Sequence, residues 1–286
     1  MSPTIWNKLQ RIDPRILYVI AVLVIAIPLL ISQFSLKIIP SKQTIQAYNT
    51  IQQAANQPGK IAIIDGWWSA STRGEQMWQT KAILTQLMRD HIPFAILSGD
   101  PQNGTLTEGL IRVLNRQYHY VYGVNYVDWG YKVAYVPLLK GIVSDIPGTI
   151  KEDYKGTPIS NIPVMKGIKN ISNVSVFIEI TPSGTLDQVL QFVQGVQHTP
   201  VVFVPTAVMA PESYPFLDSH QISGIVTGIK GAGDYETLLH AHDFGTRYSS
   251  ALSMIYALII LLIILGNVGY YAVRRADQTK EARQDR

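Results

Sequence analysis

Cysteine is absent from this chain of 286 residues, and charged side chains are scarce. Without cysteine the protein has no disulfide, no thiolate metal site and no cysteine nucleophile. Charged residues make up 15% of the sequence and hydrophobic residues 47%, a balance that indicates membrane segments. The length allows one large domain or two small ones.

The basic residues in excess lie towards the two ends of the chain. Residues 1–37 carry four basic and one acidic side chains, residues 251–286 carry five and three, and residues 38–250 carry fifteen and sixteen. A nucleic-acid-binding domain usually concentrates its basic residues in the folded part of the chain. We therefore expect no nucleic-acid partner.

Two long apolar runs, residues 16–34 and 251–273, are predicted to cross a membrane. About 20 apolar residues span a hydrocarbon core about 30 Å thick. Neither run contains Lys, Arg, Asp or Glu, so we expect anchors rather than ion or proton paths. A cleaved signal peptide is the alternative for residues 16–34, but no small-residue cleavage site follows them.

Basic residues flank both runs on the sides nearest the chain ends. Lys8, Arg11 and Arg15 precede the first run, and Arg274 and Arg275 follow the second. Positively charged flanks stay in the cytoplasm, so we predict a double-pass protein of a bacterial plasma membrane with both termini cytoplasmic. The predicted parts are a tail (1–15), a transmembrane helix (16–34), an extracytoplasmic α/β domain (35–250), a transmembrane helix (251–273) and a tail (274–286).

Apolar runs alternate with helical patterns between the two predicted spans. Extended segments are predicted over 61–65, 92–98, 118–124, 132–138, 174–181, 200–205 and 222–228, and helices over 72–90, 105–117 and 185–196. Continuous Ile, Val and Phe runs separated by helices indicate a mostly parallel, doubly wound (Rossmann-like) sheet flanked by helices. The turn-rich passage 141–174 is too long for an ordinary connection, which predicts a lid or an insertion.

Three carboxylates lie at or near the ends of predicted strands: Asp65, Asp100 and Glu179. In an open parallel sheet, ligands bind beyond the carboxyl ends of the strands. If the three side chains converge there, they are candidate catalytic residues of a hydrolase or transferase. The alternative is that each caps the N-terminus of a neighbouring helix.

A second set of residues at the same predicted edge is suited to contact. Trp67 and Trp68 follow Asp65 almost directly, and large aromatic side chains supply apolar area and stacking at a pocket mouth. The candidate residues for ligand or partner contact are Trp67, Trp68, Ser69, Arg73 and Thr206. The alternative for the two tryptophans is plain core packing.

No motif names a reaction. G-x-S-x-G, H-E-x-x-H and Walker sequences do not occur. His240 and His242 are two apart and would point to different sides of a helix, so no metal site is predicted, and no cofactor either. Residues 174–204 resemble one lobe of the type I periplasmic binding proteins, which clasp small ligands between two lobes, although the domain has no room for a second lobe.

Plain anchors without a catalytic motif favour a non-enzymatic binding or scaffold subunit of a membrane assembly. The expected partners are the lipid bilayer, a second copy of the chain or another membrane protein, and a small ligand in a crevice at the strand ends. The alternative is an extracytoplasmic hydrolase or transferase that uses the strand-end carboxylates.

Overall fold

A computed structural model describes residues 12–31, 36–241 and 243–284. The chain divides into two compact units, one formed by residues 38–246 and the other by the chain ends, 1–37 with 247–286. Residues 1–11 of the predicted tail, residues 32–34 of the predicted first span and residue 35 lie outside the described residues.

The helices and strands alternate along most of the chain. The helices are α1 (Pro14–Leu30), α2 (Lys42–Ala54), α3 (Arg73–Arg89), α4 (Asn103–Tyr118), α5 (Tyr135–Ser144), α6 (Ile146–Ile150), α7 (Leu186–Val189), α8 (Gly195–Gln197), α9 (Tyr214–Asp218), α10 (Gly228–Leu238) and α11 (Phe244–Gln284). The strands are β1 (Ile61–Gly66), β2 (Phe94–Ser98), β3 (Tyr126–Tyr131), β4 (Val174–Thr181), β5 (Val201–Pro205) and β6 (Gly224–Ile225). A π-helical turn, Leu190–Gln194, joins α7 to α8.

The unit formed by the chain ends contains two apolar helices. Within α11, Phe244–Arg275 is long and apolar enough, by length and composition, to cross a membrane. Helix α1 has 17 residues, a rise of about 26 Å, so the structure does not clearly show the predicted N-terminal span. The two helices are in contact. Arg247 of α11 donates a hydrogen bond to the carbonyl of Leu29 of α1 at 3.4 Å.

The unit of residues 38–246 is built on a six-stranded, all-parallel sheet with the order β3-β2-β1-β4-β5-β6. The chain builds three strands outward from β1, returns to the centre, and builds three more in the opposite direction. The predicted parallel, doubly wound α/β fold is therefore confirmed. In sheets of this order, ligands bind where the direction reverses, which here lies between β1 and β4.

Helices cover both faces of the sheet because the central strands are apolar on both. In β1, Ile61 and Ile63 belong to one core cluster, whereas Ala62 and Ile64 belong to the other. Passage 141–174, predicted as a lid or insertion, forms part of the β3-to-β4 crossover and buries a row of apolar side chains in the first cluster: Ile142, Ile146, Ile150, Ile159, Ile162, Met165, Ile168 and Ile171. Each such burial stabilises the fold by about 1.5–3 kcal/mol.

The predictions for the segment around β3 are wrong. Residues 118–124 end α4 and form a turn, in which Asn125 Oδ1 accepts the Val121 N–H at 2.9 Å, and β3 follows them. Residues 132–138 are not a strand, because α5 begins at Tyr135 after Ala134 in the left-handed conformation (φ 59°). Asp128 and Gly130 interrupt the apolar pattern of β3, which hid this edge strand from sequence analysis.

Candidate functional site

Two carboxylates lie side by side in the centre of the sheet. Asp65 of β1 is in register with Glu179 of β4, across the point where the strand order reverses. Both residues have 0% exposure, because apolar strand neighbours place them within the layer that helices cover. We call Asp65 and Glu179 the carboxylate pair.

Burial changes the protonation of this pair. It raises the pKa of Asp65 to about 7, although the Tyr135 hydroxyl and the Trp67 indole oppose the rise. Burial also raises the pKa of Glu179 well above its ordinary value, and the negative charge of Asp65 raises it further. Two adjacent buried carboxylates cannot both ionise cheaply, so burial favours one proton shared by the pair.

Aromatic and amide side chains close over the pair. The Tyr135 hydroxyl donates a hydrogen bond to Asp65, and the rings of Trp67 and Tyr135 meet edge to face with centroids 4.7 Å apart. Trp67 packs so tightly on Gly99, and Asn103 on Gly66, that a methyl group on either glycine would overlap the neighbouring side chain. The pair is therefore sealed by side chains from three different segments.

This group of residues contains an unusual number of unpaired polar atoms. We call it the switch-point cluster, and it consists of Asp65, Trp67, Asn103, Tyr135 and Glu179. Among the described residues five of its buried atoms have no hydrogen bond of ordinary geometry: Asp65 Oδ1, Trp67 Nε1, Asn103 Nδ2, Glu179 Oε1 and Glu179 Oε2. The Trp67 indole and the Thr185 hydroxyl still lie close enough to Asp65 and Glu179, respectively, to lower the pKa values of these carboxyl groups. Native proteins leave only a few buried polar groups unsatisfied per 100 residues. The cluster therefore has three carboxyl oxygens, on Asp65 and Glu179, and two N–H groups, on Trp67 and Asn103, that are available for hydrogen bonds at the sheet position where ligands bind.

The third candidate carboxylate, Asp100, has no described contact with the pair. Asp100 is partly exposed, and its carboxylate accepts the backbone N–H of Gln102 at 2.8 Å in the turn before α4. This is an Asx-type turn contact, and because no side chain caps the N-terminus of α4, Asp100 does not take the helix-capping role considered as the alternative. Asp65 has no such role, since its described hydrogen-bond donor is a side chain from α5.

The two candidate tryptophans have different environments. Trp68 is 1% exposed and packs in the core with α3 and β1. Trp67 is partly exposed and belongs to the switch-point cluster. The sheet edge therefore presents one of the two indoles.

The other candidate contact residues belong to separate turns. The Ser69 hydroxyl lies 2.9 Å from that of Ser71. Arg73 is exposed at the start of α3, with Nε 3.2 Å from Met77 Sδ. Thr206 accepts the Met209 N–H through its carbonyl at 3.1 Å. The structure does not bring Ser69, Arg73 or Thr206 into a described contact with the carboxylate pair.

Sequence reasoning missed two members of the switch-point cluster. Tyr135 is separated by 70 residues from the Asp65 that it contacts and was predicted to lie in an extended segment. Asn103 begins α4 and donates to no described partner, but its Oδ1 accepts the Ser98 hydroxyl at 3.1 Å. Neither residue carries a local pattern that distinguishes it from an ordinary surface Tyr or Asn.

The described residues form no metal or phosphate site of a familiar kind. Within 12–31, 36–241 and 243–284 there is no group of three or more His, Asp or Glu side chains able to hold a metal ion, and His242 lies outside these ranges. The first strand-to-helix turn carries Trp67 and Trp68 where dinucleotide-binding turns have closely spaced glycines. The first strand-to-helix turn therefore lies where related folds bind a nucleotide, but it lacks the glycines that let the backbone approach a phosphate.

No protein-family model matches this chain, and comparisons with curated proteins and with solved structures found no match. The geometry of the sheet edge is therefore the basis on which function is proposed.

Proposed function

We propose that the protein is a membrane-anchored, non-enzymatic binding or scaffold subunit that takes a small ligand at the carboxyl edge of its sheet. The observation that carries the proposal is the switch-point cluster. Its unpaired acceptors on Asp65 and Glu179 lie at the reversal of strand order, where doubly wound sheets bind ligands. A ligand that donates N–H or O–H groups would satisfy acceptors whose desolvation is otherwise uncompensated.

Native mass spectrometry of the full chain, purified from its own cells in mild detergent, tests ligand binding. We expect the wild type to carry an added mass that is released on unfolding. Glu179→Gln should lose it, because the amide replaces one acceptor with a donor. The matched control is Asp218→Asn, an exposed position on α9, which should keep it. A wild-type protein without any added mass would contradict ligand binding.

The proposal includes a double-pass topology in a bacterial plasma membrane, with spans 16–34 and 251–273 and both tails cytoplasmic. It is supported by the apolar α11 and by the contact between α1 and α11. Because the chain has no cysteine, a single introduced cysteine can be labelled without background. Ser160→Cys should react with a membrane-impermeant maleimide in intact cells, and Gln278→Cys only after permeabilisation. The reverse pattern would place the α/β domain in the cytoplasm.

We also propose that the subunit assembles with a second copy of itself or with another membrane protein. Support comes from the apolar surface of α11. Only 6% of its most apolar stretch is buried within the chain, and apolar helices associate in lipid by close packing. Light scattering in nanodiscs should give a mass above that of one chain. A mass equal to one chain would contradict assembly.

The second candidate function is hydrolysis or group transfer by the carboxylate pair. One observation favours it: an acid whose pKa is about 7 is suited to proton transfer at neutral pH. Turnover of nitrophenyl esters, phosphates or glycosides that disappears in both Asp65→Asn and Glu179→Gln would establish the enzyme.

A further inference from the structure

A cleft of about 300 Å³ opens at the carboxyl edge of the sheet, between the ends of β2 and β3 and the first turns of α4. Asp128 of β3 and Glu108 of α4 line it, and Tyr131 and Tyr154 form aromatic parts of its wall. We call it the β2–β3 cleft. None of the switch-point cluster residues lines it, so it is a separate site.

Both carboxylates of the cleft have an oxygen without a donor. Asp128 is 2% exposed, and its Oδ1 accepts the Gly130 N–H at 2.7 Å. Its Oδ2 has no hydrogen bond among the described residues and lies beside Gly104, where a methyl group would be 2.9 Å from it. Glu108 accepts the Tyr126 hydroxyl on Oε2 at 3.1 Å, whereas its buried Oε1 has no partner in the part of the chain that the structure describes.

Negative charge accumulates around Asp128. Burial raises its pKa to about 6, the Gly130 N–H opposes the rise, and the charges of Glu108 and Asp153 add to it. Lys132 offsets part of this repulsion at Asp128, and Lys155 and Arg112, which lines the cleft, lower the pKa of Glu108. A cation placed between Asp128 and Glu108 would relieve the repulsion and favour the ionised form of both groups.

The tyrosines at this edge already hold an ammonium group of the chain. Lys155 Nζ lies 3.5 Å from the ring centroid of Tyr122 and 5.3 Å from that of Tyr154. Tyr154 also lines the cleft, and Tyr131 and Tyr154 are about half exposed. Aromatic faces stabilise cations at such distances, so the wall of the cleft suits a charged amine.

We propose that the β2–β3 cleft binds a small primary ammonium compound, with its N–H groups on Asp128 and Glu108 and its alkyl part against Tyr131 and Tyr154. The unpaired carboxylate oxygens require N–H donors, which a quaternary ammonium lacks. The apolar tyrosine faces require a carbon chain. This site extends the proposed function without depending on the switch-point cluster.

Isothermal titration calorimetry with n-butylamine, on the full chain in nanodiscs at neutral pH, tests the proposal. Tetramethylammonium is the probe with charge and no N–H, and 1-butanol is the probe with the chain and no charge. We expect n-butylamine to bind at least about tenfold more tightly than either, because only n-butylamine combines N–H donors, a positive charge and a carbon chain, and charge-assisted hydrogen bonds are stronger than neutral ones. Asp128→Asn should weaken n-butylamine by a similar factor, and the exposed control Asp218→Asn should not.

A second variant keeps the test valid if Asp128→Asn does not fold by circular dichroism. Glu108→Gln retains an acceptor for the Tyr126 hydroxyl but loses the negative charge, so it should weaken n-butylamine at least about threefold by the lost charge-assisted hydrogen bond. Three results would overturn the proposal: no heat from n-butylamine with the wild type, equal binding of tetramethylammonium, or wild-type affinity in a folded Asp128→Asn or Glu108→Gln variant.

Discussion

The switch-point cluster and the β2–β3 cleft contain the same chemistry in different surroundings. Each has a pair of carboxylates at the carboxyl edge of one sheet, and burial raises the pKa of both members in each pair. Asp65 and Glu179 have no exposed surface, whereas Asp128 and Glu108 line an open cleft. A sealed pair reduces its charge by keeping a proton, while an open pair can bind a cation instead.

Position in the sheet explains the difference. Strands β1 and β4 are central, so helices cover both of their faces, and Trp67 and Tyr135 close over their ends. Strand β3 is an edge strand with a neighbour on one side. The same carboxylate chemistry therefore favours retention of a proton at the centre of the sheet and binding of a cation at its edge.

Replacing the buried acid Asp65 has the largest expected effect, which is on the pH dependence of the free energy of unfolding. The folded state holds the Asp65 proton between its ordinary pKa of 3.8 and the folded value of about 7, whereas the unfolded chain releases it. The free energy of unfolding therefore falls as pH rises through this window, by on the order of 4 kcal/mol. Asp65→Asn should flatten the dependence, measured by guanidinium unfolding of the full chain in detergent across these pH values.

Glu179→Gln should flatten the profile from the ordinary pKa of 4.5 upward, since burial raises the folded pKa of Glu179 well above that value. The control Asp218→Asn should keep the wild-type slope. If Asp65→Asn also keeps it, Asp65 is not a buried acid with a raised pKa, and the contrast with the open cleft fails.

The next largest expected effect on the free energy of unfolding comes from adding one methyl group to each site, and it should differ between the two sites. Gly66→Ala would push into the buried Asn103 amide of the sealed cluster and should cost about 2–3 kcal/mol of unfolding free energy. Gly104→Ala lies in the first turn of α4, where alanine favours the helix by up to about 1 kcal/mol. It should leave stability near the wild-type value.

The same two variants separate stability from binding. The methyl group of Gly104→Ala would lie 2.9 Å from Asp128 Oδ2 and should reduce n-butylamine binding in a stable protein. Chemical unfolding and calorimetry on both variants provide the measurements. Equal destabilisation by the two substitutions would show that the cleft is as tightly packed as the switch point.

Removing the Tyr135 hydroxyl should have the smallest of these effects on the free energy of unfolding. Tyr135→Phe deletes the donor to Asp65 and should cost about 1–2 kcal/mol, because a buried acceptor loses its partner. It should also raise the pKa of Asp65 further, since the hydroxyl lowers it. The pH profile of unfolding measures both changes.

Tyr131→Phe is the matched control for this substitution. Its side chain is about half exposed in the open cleft, and the loss of its hydroxyl should change stability by less than about 0.5 kcal/mol. An equal loss in the two phenylalanine variants would contradict the distinction between a sealed and an open site.

The sequence by itself determined the kind of sheet and the identity of two carboxylates at its strand ends. Continuous apolar runs such as Ile61–Ile64 are local signals of strands buried on both faces, and Asp65 and Glu179 could be placed at strand ends by position. The predicted C-terminal span coincides with an apolar helix for the same local reason, because length and composition decide it.

Only the tertiary structure decided which of these groups meet and which of them water can reach. Three features depend on the order of the strands. They are the register that sets Asp65 beside Glu179, the hydrogen bond from Tyr135 to Asp65, which lies 70 residues away in the sequence, and the edge position of Asp128. That order results from how the crossover helices pack on the two faces, a long-range property that no local pattern of residues encodes. The protonation of each carboxylate follows from the resulting burial and therefore also belongs to the folded structure.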